Sequence, residues 1–167
     1  MNVGAIRILG IDPGLRQTGW GLIEVSGARL AYIGCGSIRT DTSTALAERL
    51  ALIHRTLARL IEDERPAEGA VEETFVNRDP QSALKLGQAR GVALAALSLG
   101  GLAVAEYAAN LIKKTVVGVG HAEKDQVAMM VKMLLPASEP RTPDAADALA
   151  VAICHAQHRR ARARGAA

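Results

Sequence analysis

The chain has 167 residues, 49% of them hydrophobic and 22% charged, which fits one globular unit and excludes a disordered or collagen-like chain. At this length a single core takes roughly 70% of the unfolded surface out of water, so folding demands neither disulfides nor a structural metal. Lys and Arg total 20 against 17 Asp and Glu, a net charge of +3 that permits nucleic-acid binding without requiring it.

Residues 6–11 form a short apolar run that ends in turn-rich Asp12-Pro13-Gly14. Residues 20–25 and 29–38 read as two more strands joined at Ser26-Gly27, so the chain opens as an antiparallel meander. The period then changes. Leu46, Leu50, Ile53, Leu57 and Leu60 share one helical face, and Arg65-Pro66 stops that helix. A strand is expected over 69–74. Asp79-Pro80 reads as an N-cap followed by proline at the first helical position, opening a helix to about Ser98 that Gly100-Gly101 ends. A fifth strand over 102–106 and helices over 109–116, 123–135 and 143–158 complete the order. The fold class is therefore α/β, a mixed five-stranded sheet flanked by helices, in one domain over residues 1–167.

Cys35 and Cys154 read as buried free thiols of a reducing compartment. Met1 runs directly into a strand-like segment, and the longest uncharged stretch, 91–105, is too short to span a bilayer. A cytoplasmic protein with no membrane partner is expected. The four arginines between Arg159 and Arg164 read as a basic, flexible, solvated tail.

Asp12, Glu72, Asp144 and Asp147 are the carboxylates that the element order could bring together. Asp12 stands where a strand meets a turn, a place that Asp-Pro-Gly also favours for turn formation alone. Glu72 and Glu73 end a strand, and alternation sends them to opposite faces. Asp144 and Asp147, at i and i+3, share one side of the last helix, where the macrodipole alone would also favour acids. An oxygen-only set of this kind suits Mg²⁺, and two such ions can hydrolyse a phosphodiester. His155 and His158 read as helix positions near a frayed end rather than as zinc ligands.

Phe75, the only phenylalanine, could close the edge of the core or wedge between bases. Arg16, Arg78, Lys85, Lys113, Lys114 and Lys124 are ordinary surface charges singly, and as a set they suggest phosphate contacts of a DNA groove. Gly87, Gly91 and Ala95 form a small-residue stripe at i, i+4, i+8, suited to close packing on the sheet or on a partner subunit.

Residues 8–14, 18–21, 71–75, 82–91, 113–120 and 144–150 together resemble the RuvC Holliday-junction resolvases, in that family's order and over nearly the whole chain. The block from Ser82 to Gly91 is the most specific of these. The resemblance implies an RNase H-like fold, a homodimer, and Mg²⁺-dependent paired cutting of four-way junction DNA in recombination and repair. It further implies two Mg²⁺ per site with Mn²⁺ as a substitute, and cooperation with the RuvA–RuvB branch-migration complex. By match of position, Asp12, Glu72, Asp144 and Asp147 correspond to the family's catalytic, metal-binding acids. Phe75 corresponds to its aromatic near the crossover, and Lys113 and Lys124 to its basic DNA contacts. Position 144 is His in some members and a carboxylate here. Two rivals stand beside this reading. One is a junction-binding module without catalysis, and the other is an actin-like ATPase or sugar kinase, for which the chain is short.

Overall fold

The computed structural model describes residues 4–73 and 79–165, with side chains through Arg159. Ten elements follow in order: β1 (Ile6–Asp12), β2 (Gln17–Ser26), β3 (Arg29–Arg39), α1 (Leu46–Glu64), β4 (Glu68–Glu73), α2 (Pro80–Leu99), β5 (Ala103–Ala108), α3 (Ala109–Val117), α4 (Lys124–Leu134) and α5 (Pro143–Gly165). The strands form one sheet ordered β3-β2-β1-β4-β5. β1, β2 and β3 pair antiparallel, as the short links between them require, while β4 and β5 join in parallel after helical crossovers.

Strand alternation divides the core in two. Ile8, Ala70 and Tyr107 face α3, α4 and α5, whereas their chain neighbours Leu9 and Val71 face α1 and α2. By the same parity Asp12, Glu68 and Glu72 belong to the α5 side, and Glu73 to the α2 side. On α1, Ile53, Leu57 and Ile61 are buried at i, i+4, i+8, and the helix ends at Arg65, which takes a left-handed φ of 48° before Pro66. Asp79 caps α2 by accepting from the backbone N–H of Gln81 at 3.1 Å and of Ser82 at 3.2 Å.

The deepest element is α5. Residues 145–156 are almost wholly buried, which is expected of a helix apolar on all sides. It crosses β1 and β2 so closely that a Cβ at Gly10 would overlap the carbonyl of Ala148, and one at Gly19 the carbonyl of Asp144. Only glycine permits this approach. The helix start is pinned as well: Thr142 Oγ1 accepts from the Ala145 N–H at 3.2 Å and lies 2.5 Å from Ser37 Oγ on β3.

Three expectations need correction. The helix does not fray at its histidines. His155 is buried, its Nδ1 2.8 Å from the Tyr107 hydroxyl and its Nε2 2.7 Å from Glu68 Oε2. Nor does a solvated tail begin at Arg159, because its guanidinium donates to both Glu68 oxygens at 2.8 Å and the helix runs on to Gly165. Tertiary partners on β4 and β5 hold a segment whose own composition reads as a terminus. Cys154 is buried, but Cys35 is only half-buried, with Sγ 3.4 Å from the Tyr32 hydroxyl.

Gly87, Gly91 and Ala95 point outward, and a Cβ at Gly87 or Gly91 would meet nothing within 4 Å. The stripe does not pack on this chain's own sheet. Among the described residues no helix is long and apolar enough to cross a membrane.

Candidate active site

β1 and β4 run parallel, so their C-terminal ends lie side by side, with Ile11 in register with Val71. The next residues on the α5 side are Asp12 and Glu72. The tight glycine approaches place the first turns of α5 over this end, bringing Asp147 opposite. Asp12, Glu72 and Asp147 line a hollow of about 220 Å³, with Lys113 from α3, Lys124 from α4 and an apolar wall that includes Ile112, Val127 and Ala150.

Electrostatics set this hollow apart. Burial, followed by the charges of Glu72, Asp147 and Asp144, pushes the Asp12 carboxyl up to about 8. Burial and Asp147 push Glu72 up to about 7 against the opposing pull of Lys113 and Lys124. Asp147 is also raised, chiefly by burial, although Lys124 Nζ stands 3.9 Å from its Oδ2. Like charges confined in a low-dielectric hollow disfavour one another's ionisation. A cation would relieve that repulsion, and an all-carboxylate donor set suits a hard divalent ion. Among the described residues no three acidic, histidine or cysteine side chains already stand close enough to enclose an ion.

Of the expected residues, the hollow therefore gathers Asp12, Glu72, Asp147, Lys113 and Lys124. Asp144 lies outside the lining but close enough for its charge to act on Asp12 and Asp147. Glu73 points to the opposite face, as alternation requires, with Oε1 3.6 Å from Arg90 Nη2. Lys114 and Lys85 are exposed on α3 and α2 and do not line the hollow, and Arg16 lines a different concavity. Phe75 and Arg78 lie outside the described residues. The apolar wall escaped the sequence reading because Ile112 and Val127 look like any buried positions of amphipathic helices.

A mixed five-stranded sheet whose parallel central strands end in carboxylates opposite two aspartates at the start of a buried helix has the architecture of an RNase H-like nuclease. Within that class the comparisons are specific. The family described as crossover junction endodeoxyribonuclease RuvC matches residues 8–155, and the chain belongs to it. Over 98% of its length the chain is 69% identical to the RuvC of Methylocella silvestris, covering 93% of that protein. It is 64% identical to the RuvC of Rhodopseudomonas palustris strain BisA53, over 98% of this chain and 94% of the relative. Among solved structures, Thermus thermophilus RuvC in complex with a Holliday junction substrate superposes with a TM-score of 0.88 at 35% identity, covering 94% of this chain and 96% of that one.

Proposed function

We propose that this protein resolves four-way DNA junctions by Mg²⁺-dependent hydrolysis of two opposed strands, in the cytoplasm and in cooperation with a RuvA–RuvB branch-migration complex. The observation that carries the catalytic reading is the convergence of three carboxylates, from β1, β4 and α5, on one hollow shared with two lysines. Family membership supports the junction as substrate.

Asp12, Glu72 and Asp147 would hold the metal from within the hollow, and Asp144 would join them from its rim. Two Mg²⁺ ions bound there would lower the pKa of an attacking water and stabilise the leaving oxygen. Lys113, half-buried in the wall of the hollow, would meet the phosphate that approaches the acids, and exposed Lys124 offsets part of the charge of Asp147. Without such neutralisation the three carboxylates would repel a DNA phosphate rather than admit it.

A homodimer is the assembly that sets two such sites on one junction, and the outer face of α2 supports it. Gly87 and Gly91 leave the helix backbone open on that face, while Leu84 and Leu99 are 66% and 79% exposed. Small residues beside exposed leucines allow another helix to approach closely. In sedimentation, Gly91→Tyr is expected to yield a folded monomer, because its Cβ meets nothing within the protomer.

The deciding experiment is incubation of the purified protein with a synthetic four-way junction, with and without Mg²⁺. Paired nicks at symmetric positions that appear only with the ion are expected. A junction that is bound and never cut at any Mg²⁺ concentration would leave the binding-module reading in its place.

A further inference from the structure

β2 begins and β3 ends at the same end of the sheet where β1 delivers Asp12, since the three strands are antiparallel neighbours. Gln17 pairs with Arg39 and Gly19 with Ser37. Ser37 is the residue hydrogen-bonded to Thr142, so Arg39, two positions on along the same strand face, and Arg141, adjacent to Thr142, flank that contact. The hollows here share their walls: Lys124 and Asp147 are common to the active site and the concavity before α5, Arg141 and Thr142 to that one and the next, and Arg39 to the last two. The hollows thus adjoin one another in a row, a furrow of four parts from the acidic hollow, past the start of α5, to Arg16.

Exposed arginines that form no ion pair among the described residues occur singly at Arg29, Arg55 and Arg65, but the far part of this furrow gathers three of them. Arg7, Arg59, Arg90 and Arg159 all pair with carboxylates. Arg16, Arg39 and Arg141 are exposed and form no ion pair among the described residues. Behind them Arg49 adds a further guanidinium, its Nε donating to Thr40 Oγ1 at 2.9 Å and its Nη2 to the Leu15 carbonyl at 3.3 Å. Two carboxylates share these walls: Asp41, held by the Ser43 N–H at 2.8 Å, and exposed Glu139. The balance remains positive.

We infer that Arg16, Arg39 and Arg141 form a second phosphate-gripping surface, which holds the backbone of a junction arm beyond the cut site. This rests on the junction-DNA reading above. The geometry favours a nucleic-acid backbone over an acidic protein because the arginines line hollows that adjoin the acidic one in a row. β3 stands two strand spacings, ~10 Å, from β1, which is about three base-pair rises of duplex. A guanidinium carried at the end of β3 is therefore a few nucleotides, not one, from a phosphate held at the acids.

The test is a coupling experiment. Full-length protein and the double variant Arg39→Ala/Arg141→Ala are titrated against a four-way junction, in chelator so that no cutting occurs. In a series of junctions one phosphate at a time is replaced by neutral methylphosphonate, walking outward from the nick mapped with the wild-type protein. The double variant should bind several-fold more weakly, with the slope of log K against log salt reduced by about 1.8, or ~0.9 per phosphate contact. A methylphosphonate a few nucleotides from the nick should weaken the wild type and leave the variant unaffected. Arg29→Ala/Arg55→Ala, exposed arginines remote from the furrow, should keep the wild-type slope. An unchanged slope in Arg39→Ala/Arg141→Ala, or the same methylphosphonate penalties in variant and wild type, overturns the inference while the wild type still cuts junctions. A wild type that cuts no junction instead fails the functional reading, and the inference falls with it.

Discussion

Glu68 and Glu72 lie four residues apart on β4 and face the same side of the sheet, yet they live in opposite electrostatic worlds. Burial pushes the Glu68 carboxyl up, but hydrogen bonds from Arg159 and His155 outweigh it and hold the group below its ordinary value. Glu72 is pushed up to about 7 by burial and by Asp147, and Lys113 and Lys124 compensate only in part. One strand therefore carries a satisfied carboxylate at its start and a frustrated one at its end. The satisfied one ties β4 to the C-terminal half of α5. The frustrated one faces the N-terminal half of the same helix, where only a bound cation would complete the neutralisation. Unrelieved like charge in a cleft marks function, because folding alone would have no reason to retain it.

The largest effects should come from breaking the frustrated end. Asp12→Asn, Glu72→Gln and Asp147→Asn, with Asp144→Asn beside them, are each expected to reduce Mg²⁺-dependent cleavage about a thousandfold or more. Junction affinity should be kept or increased, because a repulsive anion has been removed. Rates on a synthetic junction and gel-shift affinities check both halves, and a near-wild-type rate in any variant removes that residue from the metal site.

At the satisfied end the readout reverses. Glu68→Gln leaves the Arg159 guanidinium without its bidentate acceptor. A fully buried pair would lose 3–5 kcal/mol, and partial solvent access should reduce this to ~2 kcal/mol, or about 4–8 °C in melting temperature. Once corrected for folded fraction, the cleavage rate should fall far less than in Glu72→Gln. Equal loss of rate in the two variants would erase the contrast between them.

Protonation offers a third comparison. In the unfolded chain Asp12 and Glu72 titrate near their ordinary values of 3.8 and 4.5, but in the folded, metal-free protein near 8 and 7. Between about pH 4 and pH 8 the folded chain holds protons that the unfolded chain has released, so stability is lost as pH rises through that window. Melting of the metal-free protein should fall across it, and Mg²⁺ should oppose the fall at the alkaline end. Asp12→Asn should flatten the curve. A wild-type melting temperature independent of pH from 4 to 8 would contradict the frustrated site.

Smaller effects separate the remaining charges. Lys113→Ala and Lys124→Ala should each lower the slope of log K against log salt by about 0.9 if each meets one phosphate. Glu73→Gln removes only a partly exposed pairing to Arg90, worth under about 1 kcal/mol, and should cut junctions at the wild-type rate. It is the control for Glu72, since the two differ only in the face that strand alternation assigns them.

Much of this was legible in one dimension. Hydrophobic period, the Arg65-Pro66 stop, the Asp79 cap and the turn after Asp12 follow from local sterics and hydrogen bonding, so they place the elements within a few residues. Parity along β4 separated Glu72 from Glu73 before any coordinates, because side-chain direction in a strand is a local property. The tertiary structure alone decided what distant residues do to one another. Nothing near His155 or Arg159 in sequence announces Glu68 or Tyr107, which reach them across the sheet. Whether the Gly87–Gly91 stripe faces the sheet or solvent depended on how α2 is rotated, and the structure turned it outward. Charge frustration at Asp12 likewise exists only where β1, β4 and α5 meet, since burial and Coulomb repulsion depend on distances that the order of residues along the chain does not contain.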